Sequence, residues 1–391
     1  MKMLKWFLIL VFLLQLPVGL LADDKEEDEK KEAYIFTIDK EVERTPVKNQ
    51  YRTGTCWCFA TISYLESELL RTGKGEFNLS EMFVVRNTYP VKAMNYIRLH
   101  GDANFSSGGQ SHDVINAIRN FGIVTEDVYT GMQINEKRHN HGEMSRVLKG
   151  MMDGVLKRGG KRVTPRWMDA LNAVLDVYLG KKPESFQYKG KNYTPKRFAE
   201  YLGFNWDDYI ELTSYSHHPF YEQCRLEIPD NWDYNSDYYN VPIDDLEAII
   251  DFAINNGYSV CWDGDVSEKL FSSRKLGYAI VPVIDWEDKT KKEQEADIEE
   301  PVEEKAITQE LRQITFDNFT TTDDHLMHIV GIAHDQVGTK FYLTKNSAGI
   351  KDRKNDGYVY MSQSYVRLKT TALMVHKDAI PKKIRKKLNL K

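Results

Sequence analysis

The chain has 391 residues, 41% of them hydrophobic, which suffices for a large core and favours one compound unit of two intimate subdomains over separate beads. Its 53 basic side chains are outnumbered by 58 acidic ones, and the net charge of −5 makes it a poor candidate for general nucleic-acid binding. The sequence shows no Gly-rich phosphate loop, no internal repeat and, beyond residue 22, no apolar run of membrane-spanning length.

Residues 1–22 read as a signal peptide, since Lys2 and Lys5 precede an apolar run from Trp6, and Gly19-Leu20-Leu21-Ala22 stands before Asp23. Gln15 and Pro17 interrupt the run, so cleavage is favoured over an uncleaved anchor, and the mature protein is expected outside the cytoplasm, secreted or periplasmic. Cleavage removes two lysines and takes the net charge from −5 to −7. Residues 23–33 are almost entirely charged and predict a disordered leader. Residues 34–239 are then expected to form a helical subdomain with an insertion at about 129–239, and residues 240–380 a β-rich one. The basic tail, residues 381–391, closes the chain.

Gln50 lies six residues before Cys56, which opens an apolar helical pattern. A cysteine in the first turn of a helix feels the positive end of the macrodipole, which favours thiolate and makes a nucleophile. Gln50 is placed to donate an amide N–H to the oxyanion formed on attack. Cys58, Ile62, Leu65 and Leu69 follow at spacings of four, three and four, so Cys58 lies on the core stripe and reads as a small buried hydrophobe. Cys56 points roughly 200° away, toward the open side.

Further along, His112 to Phe121, Arg146 to Leu156 and Trp167 to Tyr178 read as helices, and the charged stretch Glu287 to Glu304 as an exposed loop. Asp324 to Ile332 reads as a buried strand whose hairpin partner runs from Lys340 to Ser347. That pairing sets His325 opposite Asn346, an imidazole with an orienting acceptor, which is what a thiol nucleophile needs. His328 lies three residues on and faces the other side of the strand, so it reads as a core histidine and cannot share a metal with His325. His139, His141 and Glu143, and the pair His217-His218, lack ligand spacing and read as polar loop residues; no metal or cofactor is expected. Export permits disulfides, with Cys56 free and a pairing of Cys224 with Cys261 left open.

The segment from Gln50 to Ala60 resembles the active-site motif of papain-like cysteine peptidases. With Thr53 in place of a disulfide cysteine, it is most similar to the bleomycin hydrolase and aminopeptidase C branch. The resemblance extends in order through Asn78-Leu79-Ser80-Glu81, Ser106-Ser107-Gly108-Gly109-Gln110, Tyr258 to Val266, the histidine strand, and Asn346-Ser347. It implies an α+β papain-like fold in which Cys56 attacks, His325 is the general acid/base, Asn346 orients it and Gln50 serves the oxyanion. Trp57, Gly108, Gly109 and Asp265 are the implied substrate-binding residues, with Gly108 and Gly109 a wall along which substrate backbone lies.

His325 follows Cys56 by 269 positions where papain-type enzymes have about 130–150, so roughly 120–140 residues are extra, enough for a helical insertion. The resemblance further implies an aminopeptidase acting on peptide substrates, and a homo-hexamer. Two departures leave alternatives open. Ala348 stands where the family has a tryptophan shielding the histidine–asparagine bond, which allows a peptide-binding protein without turnover. The C-terminal arm that reaches back into the cleft in that branch looks short here, which allows an endopeptidase.

Overall fold

Alternation along the central strands sorts side chains to two faces. In Val260–Gly264, Cys261 joins a helical core while its neighbour Trp262 joins a second core; in His325–His334, Leu326 and Met327 divide in the same way. These strands are therefore covered on both faces, and the computed structural model, which describes residues 32–133, 136–157 and 162–390, is a three-layer arrangement.

In chain order the elements are β1 (Thr37–Glu41), α1 (Cys56–Arg71), α2 (Glu81–Arg98), α3 (Ser111–Phe121), α4 (Gly142–Leu156), α5 (Arg166–Leu179), β2 (Phe186–Tyr188), β3 (Lys191–Tyr193) and α6 (Pro195–Leu202). There follow β4 (Tyr209–Thr213), β5 (Gln223–Cys224), β6 (Tyr238–Asn240), α7 (Ile243–Asn255), β7 (Val260–Gly264), β8 (Phe271–Ser272), β9 (Tyr278–Ala279), α8 (Lys291–Glu295) and α9 (Gln309–Asp317). The chain closes with β10 (His325–His334), β11 (Lys340–Lys345), β12 (Tyr358–Ser362), α10 (Gln363–Lys369), β13 (Thr370–His376) and α11 (Lys382–Lys387).

The main sheet runs β5-β6-β4-β13-β7-β10-β11-β12-β9-β8, with β1 added to β10. Strand β10 is its pivot. Its first half, His325 to Ile329, pairs with β7, its second half, Gly331 to His334, pairs with β1, and β11 lies along its other edge as the expected hairpin. Helix α1 packs against β10, with Cys58, Ile62, Leu65 and Leu69 all buried. Helices α7 and α11 cover the opposite face of the sheet.

The α+β reading stands, but the chain does not divide at 239/240. Strands β1, β4, β5 and β6 come from the segment read as helical and hydrogen-bond into the main sheet: β1 pairs with β10 and β4 with β13, while β6 adds to β4 and β5 to β6. The insertion supplies α4, α5, the β2–β3 hairpin and α6. It is tied to α2 by Arg86, buried to 2% exposure, whose guanidinium holds Asp176 Oδ1 at 2.7 Å and Asn172 Oδ1 at 3.1 Å. Glu287 to Glu304 carries the short α8, capped reciprocally by Thr290 and Glu293, and ends not exposed but with Glu304 accepting from Val281 N and Ser362 Oγ.

The segment read as a signal peptide lies outside the described residues, as does the leader up to residue 31. Ala33, the leader's last residue, is buried and accepts a bond from Gln336, so order begins before residue 34. The tail is not free either: Ile384 and Leu388 of the α11 region are buried in the far core. Among the described residues all four cysteines are free, Cys224 and Cys261 included, and no helix is long and apolar enough to cross a membrane.

Candidate active site

Cys56 is the first residue of α1 and keeps part of its surface open, whereas Cys58, two residues on, is fully buried and donates its thiol to Glu81 O at 3.3 Å. The sulfur of Cys56 meets two backbone N–H groups, those of Leu326 and Trp57, which favour its charged form. Burial outweighs them, and the nearby charges of Asp230 and Asp323 add to it, so the thiol is pushed up to about 11. The resting thiolate expected from the helix end is therefore not what this site favours.

His325 opens β10, and Asn346 follows β11 directly, so the hairpin brings them together: His325 Nε2 lies 2.9 Å from Asn346 Oδ1. The same Oδ1 accepts from Ser347 N at 2.7 Å, which orients the amide with its oxygen toward the ring. Nε2 then carries the proton, and Nδ1 presents its lone pair. Burial holds His325 below the usual imidazole range, opposed by the Asn346 bond and the charge of Asp324.

Gln50 is stitched to the same turn. Gln50 N donates to Ser347 O at 2.9 Å, its Oε1 accepts from Ser347 Oγ at 2.5 Å, and its Nε2 donates one hydrogen to Thr53 O at 2.8 Å. The amide keeps a second hydrogen beyond the one given to Thr53 O. Thr53, at the position of the papain disulfide cysteine, closes this loop by donating to Gln50 O at 2.9 Å.

The remaining expected residues fall differently. Trp57 is only 2% exposed; its Nε1 donates to Ser107 O at 2.9 Å and its ring lies beneath Gly109, so it braces the glycine segment. Gly109 is itself buried, and Gly108 has both backbone groups engaged, its N–H with Ser106 Oγ and its carbonyl with Lys92 Nζ. Asp265 is buried to 1%, accepting from Ser267 N at 2.7 Å and Thr322 N at 3.1 Å and facing Lys369 Nζ at 3.5 Å, so it belongs to the interior. His328 is buried on the α1 side with Nδ1 2.9 Å from Ser63 Oγ.

Sequence reading missed Asp230. Its carboxylate lies across Gly108, so closely that a Cβ there would meet Oδ2 at 1.8 Å, which only glycine avoids. Asn104 Nδ2 holds Asp230 Oδ1 at 2.9 Å, and burial raises the carboxyl against the pull of Lys92. Asp323 stands two residues before His325 with Gln110 Nε2 at 3.3 Å, and it is pushed well up by burial and by the charges of Asp263 and Asp230. Asp263 is raised by burial to about 7, and its Oδ2 accepts from Thr371 Oγ1 at 2.8 Å. The side of the site bounded by Gly108 is thus rich in carboxylates, Asp230, Asp323 and Asp263, with Lys92 Nζ beside them on the Gly108 carbonyl. On the other side, a cavity of about 740 Å³ opens over the His325–Asn346 pair, lined by Tyr51, Arg138, His139, Asn140, Ala348 and Arg353 among others. Neither Trp262 nor Tyr342 covers that pair; both are fully buried in the far core.

Comparison with known proteins agrees with this geometry. Residues 95–391, which include His325 and Asn346, match the model of the Peptidase C1-like family. Aminopeptidase G of Lactobacillus delbrueckii subsp. lactis is 22% identical over 378 residues, covering 86% of this chain and 82% of its own. Aminopeptidase C of Lactococcus lactis subsp. lactis is 22% identical over 381 residues, covering 88% and 83%. The crystal structure of PepW from Lactobacillus rhamnosis superposes with a TM-score of 0.68 at 19% identity, covering 90% of this chain and 84% of that one, so the papain-like fold is shared. Since the family match takes in most of the chain, the protein belongs to the Peptidase C1-like family and is a papain-like cysteine peptidase.

Proposed function

We propose that this peptidase removes residues from the free amino end of peptides, with Cys56 as nucleophile. The Cys56 thiol proton passes to His325 Nδ1 as the sulfur attacks the scissile carbonyl. Cys56 N–H and the second Gln50 Nε2 hydrogen stabilise the oxyanion. The C–N bond breaks as His325 returns the proton to the leaving amine, leaving a thioester. His325 then takes a proton from water, whose oxygen attacks the thioester; the C–S bond breaks, the carboxylic acid leaves, and His325 returns the proton to the Cys56 sulfur.

The observation that carries the aminopeptidase reading is Asp230 across Gly108. It obstructs the strip along which a longer peptide would run, and its negative charge suits the ammonium of a first residue. Relatives named aminopeptidase support the same reading. Matched peptides with free and acetylated amino termini test it: the free one should be hydrolysed and the acetylated one refused, with Asp230→Asn narrowing the difference. Equal cleavage of both would make the enzyme an endopeptidase, and cleavage of neither by a folded protein would favour a peptide-binding role.

By the same reading the enzyme is exported after loss of residues 1–22, which terminal sequencing of the mature protein should show as a chain beginning at Asp23. The family resemblance carries a homo-hexamer, read by light scattering as six chain masses.

A further inference from the structure

We propose that His217, His218 and Glu227 form a binding site for a zinc-class divalent cation, separate from the peptidase site and unused by its chemistry. The sequence hides it, because two adjacent histidines carry no ligand spacing and the carboxylate comes from a later turn. In the fold, His217 Nε2 lies 3.1 Å from Glu227 Oε2, and His218 Nε2 lies 3.0 Å from Oε1 and 3.1 Å from Oε2. All three ligand atoms fall within 4.8 Å of one another. Without metal these contacts are hydrogen bonds; donors on a tetrahedral zinc with bonds of about 2.0–2.1 Å are separated by roughly 3.3 Å, so an ion replaces the shared protons with only small shifts of the three side chains.

The three groups sit on anchored backbone. Asn240, fully buried, holds His218 O at 2.9 Å, and Glu227 lies between the buried Leu226 and Ile228. The His217 ring stacks parallel to Phe316, and its Nδ1 faces Gln313 of α9, with Oε1 at 3.3 Å and Nε2 at 3.0 Å. Gln313 is fixed in turn, its Oε1 accepting from Ser216 N at 2.7 Å and its Nε2 donating to Asp317 at 2.9 Å. Without metal the nearer Gln313 Nε2 donates to Nδ1; in the metal-bound form Nδ1–H donates instead to Oε1 and leaves the Nε2 lone pair to the ion, the usual arrangement of a metal-binding imidazole and its outer partner. Two imidazoles and one carboxylate match zinc, and the half-open surface leaves water as the fourth ligand.

A second such cluster among the described residues behaves differently. His112 has Nδ1 2.9 Å from Glu211 and Nε2 3.2 Å from Asp233, each nitrogen with its own carboxylate. That geometry suits an imidazolium with both nitrogens protonated, which leaves no lone pair for a metal.

Zinc chloride titrated calorimetrically at pH 7.5 into the full chain carrying Cys56→Ser, so that the catalytic thiol takes no metal, tests the site. One zinc per chain is expected. It should be lost in the His217→Ala/His218→Ala double variant and in the isosteric Glu227→Gln, and weakened by about 10- to 100-fold in Gln313→Ala. Cobalt(II) as a second probe should give the visible absorption of a tetrahedral complex in the parent and none in the double variant. Zinc should also raise the melting temperature of the parent alone. Failure of the parent to bind zinc, or undiminished binding in variants that melt like the metal-free parent, would overturn the proposal. The peptide test above has no bearing on either outcome.

Discussion

At Cys56 two effects oppose each other, and their sizes decide the resting state. A helix N-terminus contributes about 0.3–1 kcal/mol to a negative group, less than one pKa unit of 1.36 kcal/mol, whereas burial and two nearby carboxylates act the other way and prevail. With His325 held low as well, both shifts favour thiol and imidazole over the ion pair, which predicts that the proton moves during attack. Alkylation of Cys56 by iodoacetamide should therefore keep rising with pH above neutrality. A plateau reached below pH 6 would show a standing ion pair instead. Cys56→Ala and His325→Ala should lower turnover by at least about 10³-fold, and Asn346→Ala by less, since it orients a group rather than reacts. Cys58→Ala should cost about 1 kcal/mol of stability and leave the chemistry intact; loss of activity in that folded variant would overturn the assignment of the nucleophile.

At the scale of elements, the β10–β11 hairpin was legible because alternation and a turn lie close together in sequence, and α1 because its apolar spacing is regular. The acidic side of the site was not. Asp230 lies in an insertion loop without periodicity, and only the fold brings it onto Gly108. The burial of Trp57 is hidden for a related reason: a motif names neighbours in sequence but not which of them the next layer will cover. The turn after β11 carries Ala348 beneath an open cavity, so the His325–Asn346 bond is wetter than an indole would leave it. Ala348→Trp should raise turnover about 2- to 10-fold, the value of one strengthened hydrogen bond. No gain, or a loss together with a lower melting temperature, would mean that the cavity does not accept the ring.

Glu304, at the end of the charged excursion, gives an element-scale test by pH. Burial raises its carboxyl to about 7, against the bonds from Ser362 and Val281. The native state thus keeps a proton that the unfolded chain releases near the ordinary glutamate value of about 4.5, so this group's contribution to stability is full below that pH and is lost as pH rises to about 7. Glu304→Gln keeps the shape and removes the titration. The drop in melting temperature between pH 5 and pH 8 should be smaller in the variant than in the parent; an unchanged drop would show that the carboxyl ionises freely.

Across the whole molecule, the sheet separates Cys56 and α1 from the chain's last helix. Cys56 and α1 lie on one face, while Ile384 and Leu388 bury themselves with α7 on the other, and Lys387 Nζ reaches Tyr221 OH at 2.7 Å. Stability and substrate choice should consequently respond to different parts of the fold. Ile384→Ala and Leu388→Ala each remove a large buried side chain, at about 2–5 kcal/mol, and should lower the melting temperature by several degrees. The ratio of hydrolysis of free to acetylated peptides should stay as in the parent, because the carboxylate proposed to read the amino group is Asp230 and not the end of the chain. If these two variants instead relaxed the ratio while Asp230→Asn left it untouched, recognition would have to be assigned to the C-terminal region acting across the sheet.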